Sequence, residues 1–264
     1  MRRLVKQLSF LFLVLVGIMS SLLLSAQRNL IFYPEKLAQN YQYQFKTSFK
    51  ELNFIPENDV QINTLWFKKE TPKGVIFYFH GNAGSLSSWG HIGDMLSVYN
   101  YDVLIWDYRG YGKSTGEVTE ENIFSDSEFI YKELSKIYSE DRIILYGRSI
   151  GSGPASFLAS KFKPKALILE TPFYNLIELA KIHLPLVPSF LLQFKFENNL
   201  YIKNYQGPIF IIHGTDDEII PIAQSEKLFK NLTTVKSFIR VEGGHHNDLE
   251  NQREHREFLD KILL

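Results

Sequence analysis

Residues 143–151 read Ile143-Ile144-Leu145-Tyr146-Gly147-Arg148-Ser149-Ile150-Gly151. The first four form a short apolar run, which suits a strand buried on both faces. Gly147 and Gly151 then bracket Ser149 in the pattern G-x-S-x-G, and a helix-length stretch follows at 152–161. A strand, a tight turn and a helix in that order expose a serine hydroxyl at the carboxyl end of a sheet. The glycines lack a Cβ, so strand and helix can crowd together at the turn. The helix N-terminus offers free N–H groups and a partial positive charge to a developing anion. Ser149 is therefore the candidate nucleophile.

Working outward, similar apolar runs occur at 75–79 (VIFYF), 103–106 (VLIW), 166–169 (ALIL), 209–212 (IFII) and 238–241. Helix-length stretches lie between most of them, for example at 120–138, 223–231 and 248–264. Segments 49–54 and 60–67 read as a hairpin around the turn cluster Pro56-Glu57-Asn58-Asp59. This alternation predicts an α/β fold with a mostly parallel sheet. In such sheets ligands bind outside the carboxyl ends of the strands, and there the unusual residues sit.

A serine hydroxyl needs a base, which a carboxylate orients. In this class of fold the chain order is serine, acid, histidine. After IFII comes His213-Gly214-Thr215-Asp216-Asp217-Glu218, with Asp217 the candidate acid and Asp216 the alternative beside it. After the last strand comes Gly243-Gly244-His245-His246-Asn247-Asp248. The glycine pair lets this loop reach back across the sheet edge, with His246 the candidate base and His245 its rival. After VIFYF, His80-Gly81-Asn82-Ala83-Gly84 can supply an oxyanion donor. The backbone N–H groups of Asn82 and Ile150 are the candidate hole, and the His80 side chain is structural. His91, His183 and His255 receive no role. His245, His246 and Asp248 are too few ligands for a metal centre. No cofactor is called for.

The 264 residues contain no cysteine, which excludes thiolate nucleophiles, disulfides and cysteine zinc sites. The composition is 45% hydrophobic and 22% charged with zero formal net charge. That is ordinary for a globular chain and leaves no electrostatic footprint for nucleic acid. Residues 7–27 carry no charge, with Arg2, Arg3 and Lys6 before them. At about 1.5 Å per helical residue this run crosses a hydrocarbon core of roughly 30 Å. The basic flank keeps the N-terminus cytoplasmic and exports the rest. Residues 1–28 are thus expected to anchor a domain at 29–264 on the non-cytoplasmic side of a membrane. The alternative is a signal peptide cut near Leu24-Ser25-Ala26, giving a secreted protein.

Residues 28–44 read as a connector. Residues 172–204, rich in Leu, Phe and Pro, read as a small cap whose apolar character would suit an acyl-chain substrate. The loop Asp107-Tyr108-Arg109-Gly110-Tyr111-Gly112 is expected to be held by an Asp–Arg interaction that supports the oxyanion region. Arg148 is either scaffold or a contact for an anionic substrate.

The following motifs also resemble a known family: NLIFYPEKL at 29–37, HGNAG at 80–84, WDYRGYGKSTGE at 106–117, GRSIGSG at 147–153, ETPF at 170–173, HGTDDEIIP at 213–221 and GGHHNDL at 243–249. They resemble the BEM46-like branch of the α/β hydrolases, which includes the membrane-anchored α/β-hydrolase domain-containing proteins 13 and 17. The resemblance implies a mixed eight-stranded sheet with helices on both faces and a single-pass N-terminal segment. It places the acid at Asp217 and the base at His246, with His245 as a departure from the family pattern. The implied activity is hydrolysis of carboxylic esters or thioesters through a Ser149–Asp217–His246 triad, on a small-molecule or lipid-like acyl substrate. A serine peptidase on the same fold, or a catalytically silent membrane-tethered binding protein, are the competing readings.

Overall fold

Eight strands join in one sheet: β1 (Phe49–Glu57), β2 (Val60–Phe67), β3 (Val75–Phe79), β4 (Asp102–Trp106), β5 (Ile143–Arg148), β6 (Ala166–Glu170), β7 (Ile209–Gly214) and β8 (Lys236–Val241). Their order across the sheet is β1-β2-β4-β3-β5-β6-β7-β8. β2 runs antiparallel to both β1 and β4, and the remaining pairs are parallel. The computed structural model describes residues 26–264 except 233 and 235, together with residues 3, 7, 10, 14, 17 and 21. The anchor expected at 1–28 falls largely outside the described residues. Among those described, no helix is long and apolar enough to cross a membrane.

Every residue of β3, β4, β5 and β6 is buried, which is why these strands read as unbroken apolar runs. Helices cover both faces: α1 (His91–Leu96), α2 (Glu120–Ser135), α3 (Ser152–Lys161), α4 (Leu176–His183), α5 (Ala223–Lys230) and α6 (Arg253–Leu263). Alternate strand residues feed two cores. Phe77, Leu145, Leu167 and Ile211 pack with Ile130 of α2, Leu158 of α3 and Leu228 of α5. Ile76, Ile144, Ile168 and Ile212 pack with Ile92 of α1 and with Phe258 and Leu259 of α6.

The differences from expectation have local causes. β1 continues through Pro56 by way of a bulge between Phe54 and Glu57, which an edge strand tolerates. The helix expected from 248 begins only at Arg253, because the Asp248 carboxylate accepts the N–H of His245 at 2.8 Å and closes a turn first. The connector expected at 28–44 is built into the domain. Residues 26–31 are helical, Phe32 is buried, and Tyr33 and Pro34 pair in parallel with Ala83 and Gly84.

Candidate active site

β5 ends at Arg148, and a single 3₁₀ turn, Ser149–Gly151, leads into α3. Ser149 has φ = 54°, a left-handed conformation that costs a non-glycine residue about 1–2 kcal/mol. Such strain persists where the surroundings over-determine it. Here both flanking glycines are obligatory. A Cβ on Gly147 would lie 2.5 Å from the Gly151 carbonyl oxygen, and one on Gly151 would lie 2.2 Å from that of Phe79. The crowding fixes the turn and turns the serine hydroxyl outward from the strand end.

The loops after β7 and β8 meet over this turn. They are pressed together where the Asp216 N–H donates to the Gly244 carbonyl at 3.0 Å. A Cβ on Gly214 would lie 2.1 Å from that same oxygen. The result brings His246 Nε2 to 3.1 Å from Ser149 Oγ, and His246 Nδ1 to 2.8 Å from Asp217 Oδ2. The N–H groups of Ile219 and Ile220 donate to Asp217 Oδ1 at 2.9 and 2.7 Å. Burial alone would raise the Asp217 pKa. Hydrogen bonds from His213 and His246 and the Ile220 N–H outweigh it and hold the carboxyl well below the usual range.

The rival residues lie elsewhere. Asp216 is exposed and takes the Thr215 hydroxyl. His245 is exposed and faces Glu218, 3.2 Å away. His213, given no role by sequence reasoning, sits beside the acid. Its Nε2–H donates to the Ile220 carbonyl at 2.7 Å and lies 3.1 Å from Asp217 Oδ2. The available signal was its place at the carboxyl end of β7, four residues before the acid.

Asn82 and Ile150 border the same cavity as Ser149. The Asn82 carbonyl accepts the Tyr33 N–H at 2.8 Å and the Tyr111 hydroxyl at 2.7 Å, and its side-chain amide donates to Ile31. Tyr108 donates its hydroxyl to the His80 carbonyl at 2.7 Å. The loop after β4 therefore supports the His80–Asn82 turn through two tyrosines. The Asp–Arg contact expected within that loop is not made. Asp107 takes the Leu86 N–H and faces His80, whereas Arg109 forms a bidentate pair with Asp126 at 2.8 and 2.7 Å. A planar guanidinium prefers such two-point contact, and the geometry of α2 offers it.

Residues 70–205 match the family profile described as serine aminopeptidase, S33. The chain belongs to this family of α/β hydrolases. The hydrolase is 33% identical over 196 residues to the human α/β-hydrolase domain-containing protein 17B, covering 72% of this chain and 66% of that one. It is 29% identical to the Mycobacterium tuberculosis protein Rv2307c, covering 86% and 82% of the two chains. Among solved structures it resembles the Pyrococcus furiosus esterase Pf2001, with a TM-score of 0.66 at 19% identity over 89% of this chain and 98% of the other. It also resembles Est1E of Butyrivibrio proteoclasticus, with a TM-score of 0.63 at 18% identity over 80% and 99%. These two likenesses are of fold.

In this hydrolase, a cavity of about 250 Å³ opens beside Ser149. Phe173, Leu176, Leu179, Leu184, Val187 and Leu192 form one wall. They come from the segment between β6 and β7, where Asn175 caps α4 by accepting the Glu178 N–H at 2.7 Å. Leu30 and Ile31 also line it, and Gln27 ties their segment to residues 173–192. Its amide donates to the Leu191 carbonyl at 2.7 Å and accepts the Gln193 N–H at 2.8 Å. The second half of the segment, from Phe196, turns away into the body. Phe196 packs edge-on against Phe124, and Asn198 donates to Ser152 Oγ at 2.9 Å.

Arg148 is scaffold. It is buried, pairs with Glu170 at 3.2 Å and lies over the Trp89 ring. Burial raises the Glu170 pKa, but Arg148 and a hydrogen bond from His255 bring it down to about 2.

Proposed function

We propose that this α/β hydrolase is a membrane-held serine hydrolase that cleaves carboxylic esters or thioesters of apolar acyl groups. The observation that carries the reading is the position of His246, within hydrogen-bond reach of both Ser149 Oγ and the Asp217 carboxylate. His246 takes the Ser149 proton as the serine oxygen attacks the acyl carbonyl. Asp217 holds the imidazole in the tautomer that presents Nε2 and stabilises the imidazolium that forms. The N–H groups of Asn82 and Ile150 face the developing oxyanion, and donors of this kind contribute about 2.7–4 kcal/mol each to acyl transfer. His246 then returns the proton to the leaving oxygen or sulfur. Water, deprotonated by the same imidazole, resolves the acyl-enzyme.

The apolar cavity supports acyl groups as the substrate class. At about 250 Å³ it sits at the small end of ligand pockets, which run roughly 300–1,000 Å³. It fits a short or medium acyl chain. An aminopeptidase, the activity in the family's description, must hold a free α-amino group, and the described residues that line the cavity include no Asp or Glu. That disfavours the peptidase reading. The uncharged run at 7–27 supports the anchor, with the domain on the non-cytoplasmic side. A secreted form cut near Ala26 is the competing arrangement.

The test is reaction of the full chain with a fluorophosphonate probe, followed by peptide mapping, beside Ser149→Ala and His246→Ala. Labelling at Ser149 that is lost in both variants supports the hydrolase. A folded wild-type protein that takes no label overturns it in favour of a silent binding protein. Retention in the pellet after alkaline carbonate extraction tests the anchor.

A further inference from the structure

The outer edge of the cavity carries a feature the hydrolytic mechanism does not use. Between His183 and Phe194 the chain has no Asp, Glu, Lys or Arg. Within this stretch Leu184, Val187 and Leu192 face the cavity, while Leu186 and Phe190 stand out from the surface at 94% and 84% exposure. Leu30 and Leu184, both cavity-lining, are themselves about half exposed and so mark its mouth. An apolar projection around a site entrance is a contact surface for something apolar.

The path of the chain identifies what covers it. The uncharged run ends at Gln27, and Gln27 is already buried and bonded to Leu191 and Gln193 of the same stretch. Gln27 is thus the last residue of the run and already part of the domain, so the membrane-held part of the run ends before it. One extended residue spans at most about 3.6 Å, so the few residues between that part and Gln27 keep the exposed loop near the bilayer. So short a junction restricts which face the domain turns to the lipid.

We propose that the loop bearing Leu186 and Phe190 inserts into the surface of the bilayer that holds the N-terminal run, so that the mouth of the cavity opens at the lipid interface and Ser149 receives acyl chains directly from the membrane. This rests on the membrane-held reading above and extends it. It also resolves the small cavity. The carboxyl end of a long chain lies along the apolar walls to Ser149, and the remainder stays in lipid. Interfacial segments of this kind sit about 5–10 Å into the headgroup and acyl boundary, held by the apolar area they bury.

The absence of native cysteine makes the test direct. Leu186→Cys, Phe190→Cys and, as a control, Ile137→Cys are each labelled with an environment-sensitive dye in the full chain. Ile137 is exposed and lies just before β5, at the amino ends of the strands. Each is reconstituted in phosphatidylcholine vesicles carrying spin-labelled acyl chains. Quenching at 186 and 190 but not at 137 is the expected result. Dyes at 186 and 190 that stay as unquenched as at 137 overturn the proposal. A dye shift without lipid quenching, growing with protein concentration, overturns it in favour of a second copy of this chain.

A functional arm uses the double variant Leu186→Glu, Phe190→Glu. It should keep fluorophosphonate labelling and turnover of a water-soluble butyrate ester, yet lose about tenfold on a palmitate ester dissolved in the vesicles. Unchanged turnover of the vesicle ester overturns the proposal. Ser149 labelling in the same samples separates the two readings. Labelling without quenching removes bilayer docking alone, and quenching without labelling removes the hydrolase alone.

Discussion

The Arg148 guanidinium donates to the backbone carbonyl of His246 at 3.3 Å. The residue before the candidate nucleophile thus holds the loop that carries the candidate base. Glu170, on the neighbouring strand, pairs with Arg148 from the other side and also takes the Tyr146 hydroxyl at 2.6 Å. A buried ion pair adds little net stability, but removing one partner leaves the other's charge poorly compensated, here with only Glu250, 4.0 Å from Arg148, as a remaining acid.

Glu170→Gln is therefore expected to destabilise the fold by about 3–5 kcal/mol at neutral pH, measured by denaturant unfolding. The sign of its pH dependence follows from a folded-state pKa of about 2 against an ordinary 4.5. A depressed carboxyl pKa contributes stability that is fully present above the unfolded value and is lost as pH falls through the folded one. The gap between wild type and variant should close as pH drops from 4.5 towards 2. A gap that stays constant over that window would count against Glu170 as the ionised partner.

The adjacent acids separate cleanly by mutation. Asp217→Asn is expected to lower kcat on a p-nitrophenyl ester by about 10⁴-fold, because the imidazole loses the partner that sets its tautomer. Asp216→Asn, at an exposed position, should leave kcat within about twofold. Equal losses in the two variants would contradict the geometry.

The paired histidines behave likewise. His246→Ala should abolish ester turnover, while His245→Ala should retain it. The Glu218 carboxylate beside exposed His245 raises its pKa, so its loss should alter local charge and little else. Steady-state rates on one soluble ester decide the matter.

Gly151→Ala tests the crowding at the turn. The new Cβ would lie 2.2 Å from a backbone oxygen of β3, so backbone must move. A destabilisation of about 1–3 kcal/mol is expected. Fluorophosphonate labelling should also slow, because the Ile150 N–H shifts with the turn. A variant with wild-type melting and labelling would refute the strain.

Ala180→Trp projects a large ring from α4 into the cavity, whose lining includes Ala180. Turnover of an octanoate ester should fall by about tenfold or more relative to an acetate ester. A parallel fall on both would place the acyl chain elsewhere.

Much of this architecture was legible because both-face burial makes parallel strands read as apolar runs, and G-x-S-x-G after such a run has few other structural uses. Ser149, Asp217 and His246 all lie just past strand ends, where the fold exposes side chains. The connector at 28–44 was misread because pairing of Tyr33 and Pro34 with Ala83 and Gly84 leaves no local pattern in a two-residue strand. The Asp107–Arg109 expectation failed for a related reason. Proximity in sequence suggested the pair, but α2 brought Asp126 to Arg109 in a better two-point geometry.

The sequence by itself determined the strand–turn–helix around Ser149, the helix-and-strand alternation and the uncharged run at 7–27, since all are local patterns of burial and backbone freedom. The sequence put Asp217 and His246 ahead of their neighbours Asp216 and His245; only the tertiary structure decided how those two side chains meet the serine while their neighbours do not. Neighbours in a loop share a sequence context but point in different directions. That choice was made by the contact of Asp216 with Gly244, where two loops 28 residues apart close on each other. The link from Gln27 to Leu191 and Gln193 was likewise invisible until folding brought residues more than 160 positions apart into hydrogen-bond distance.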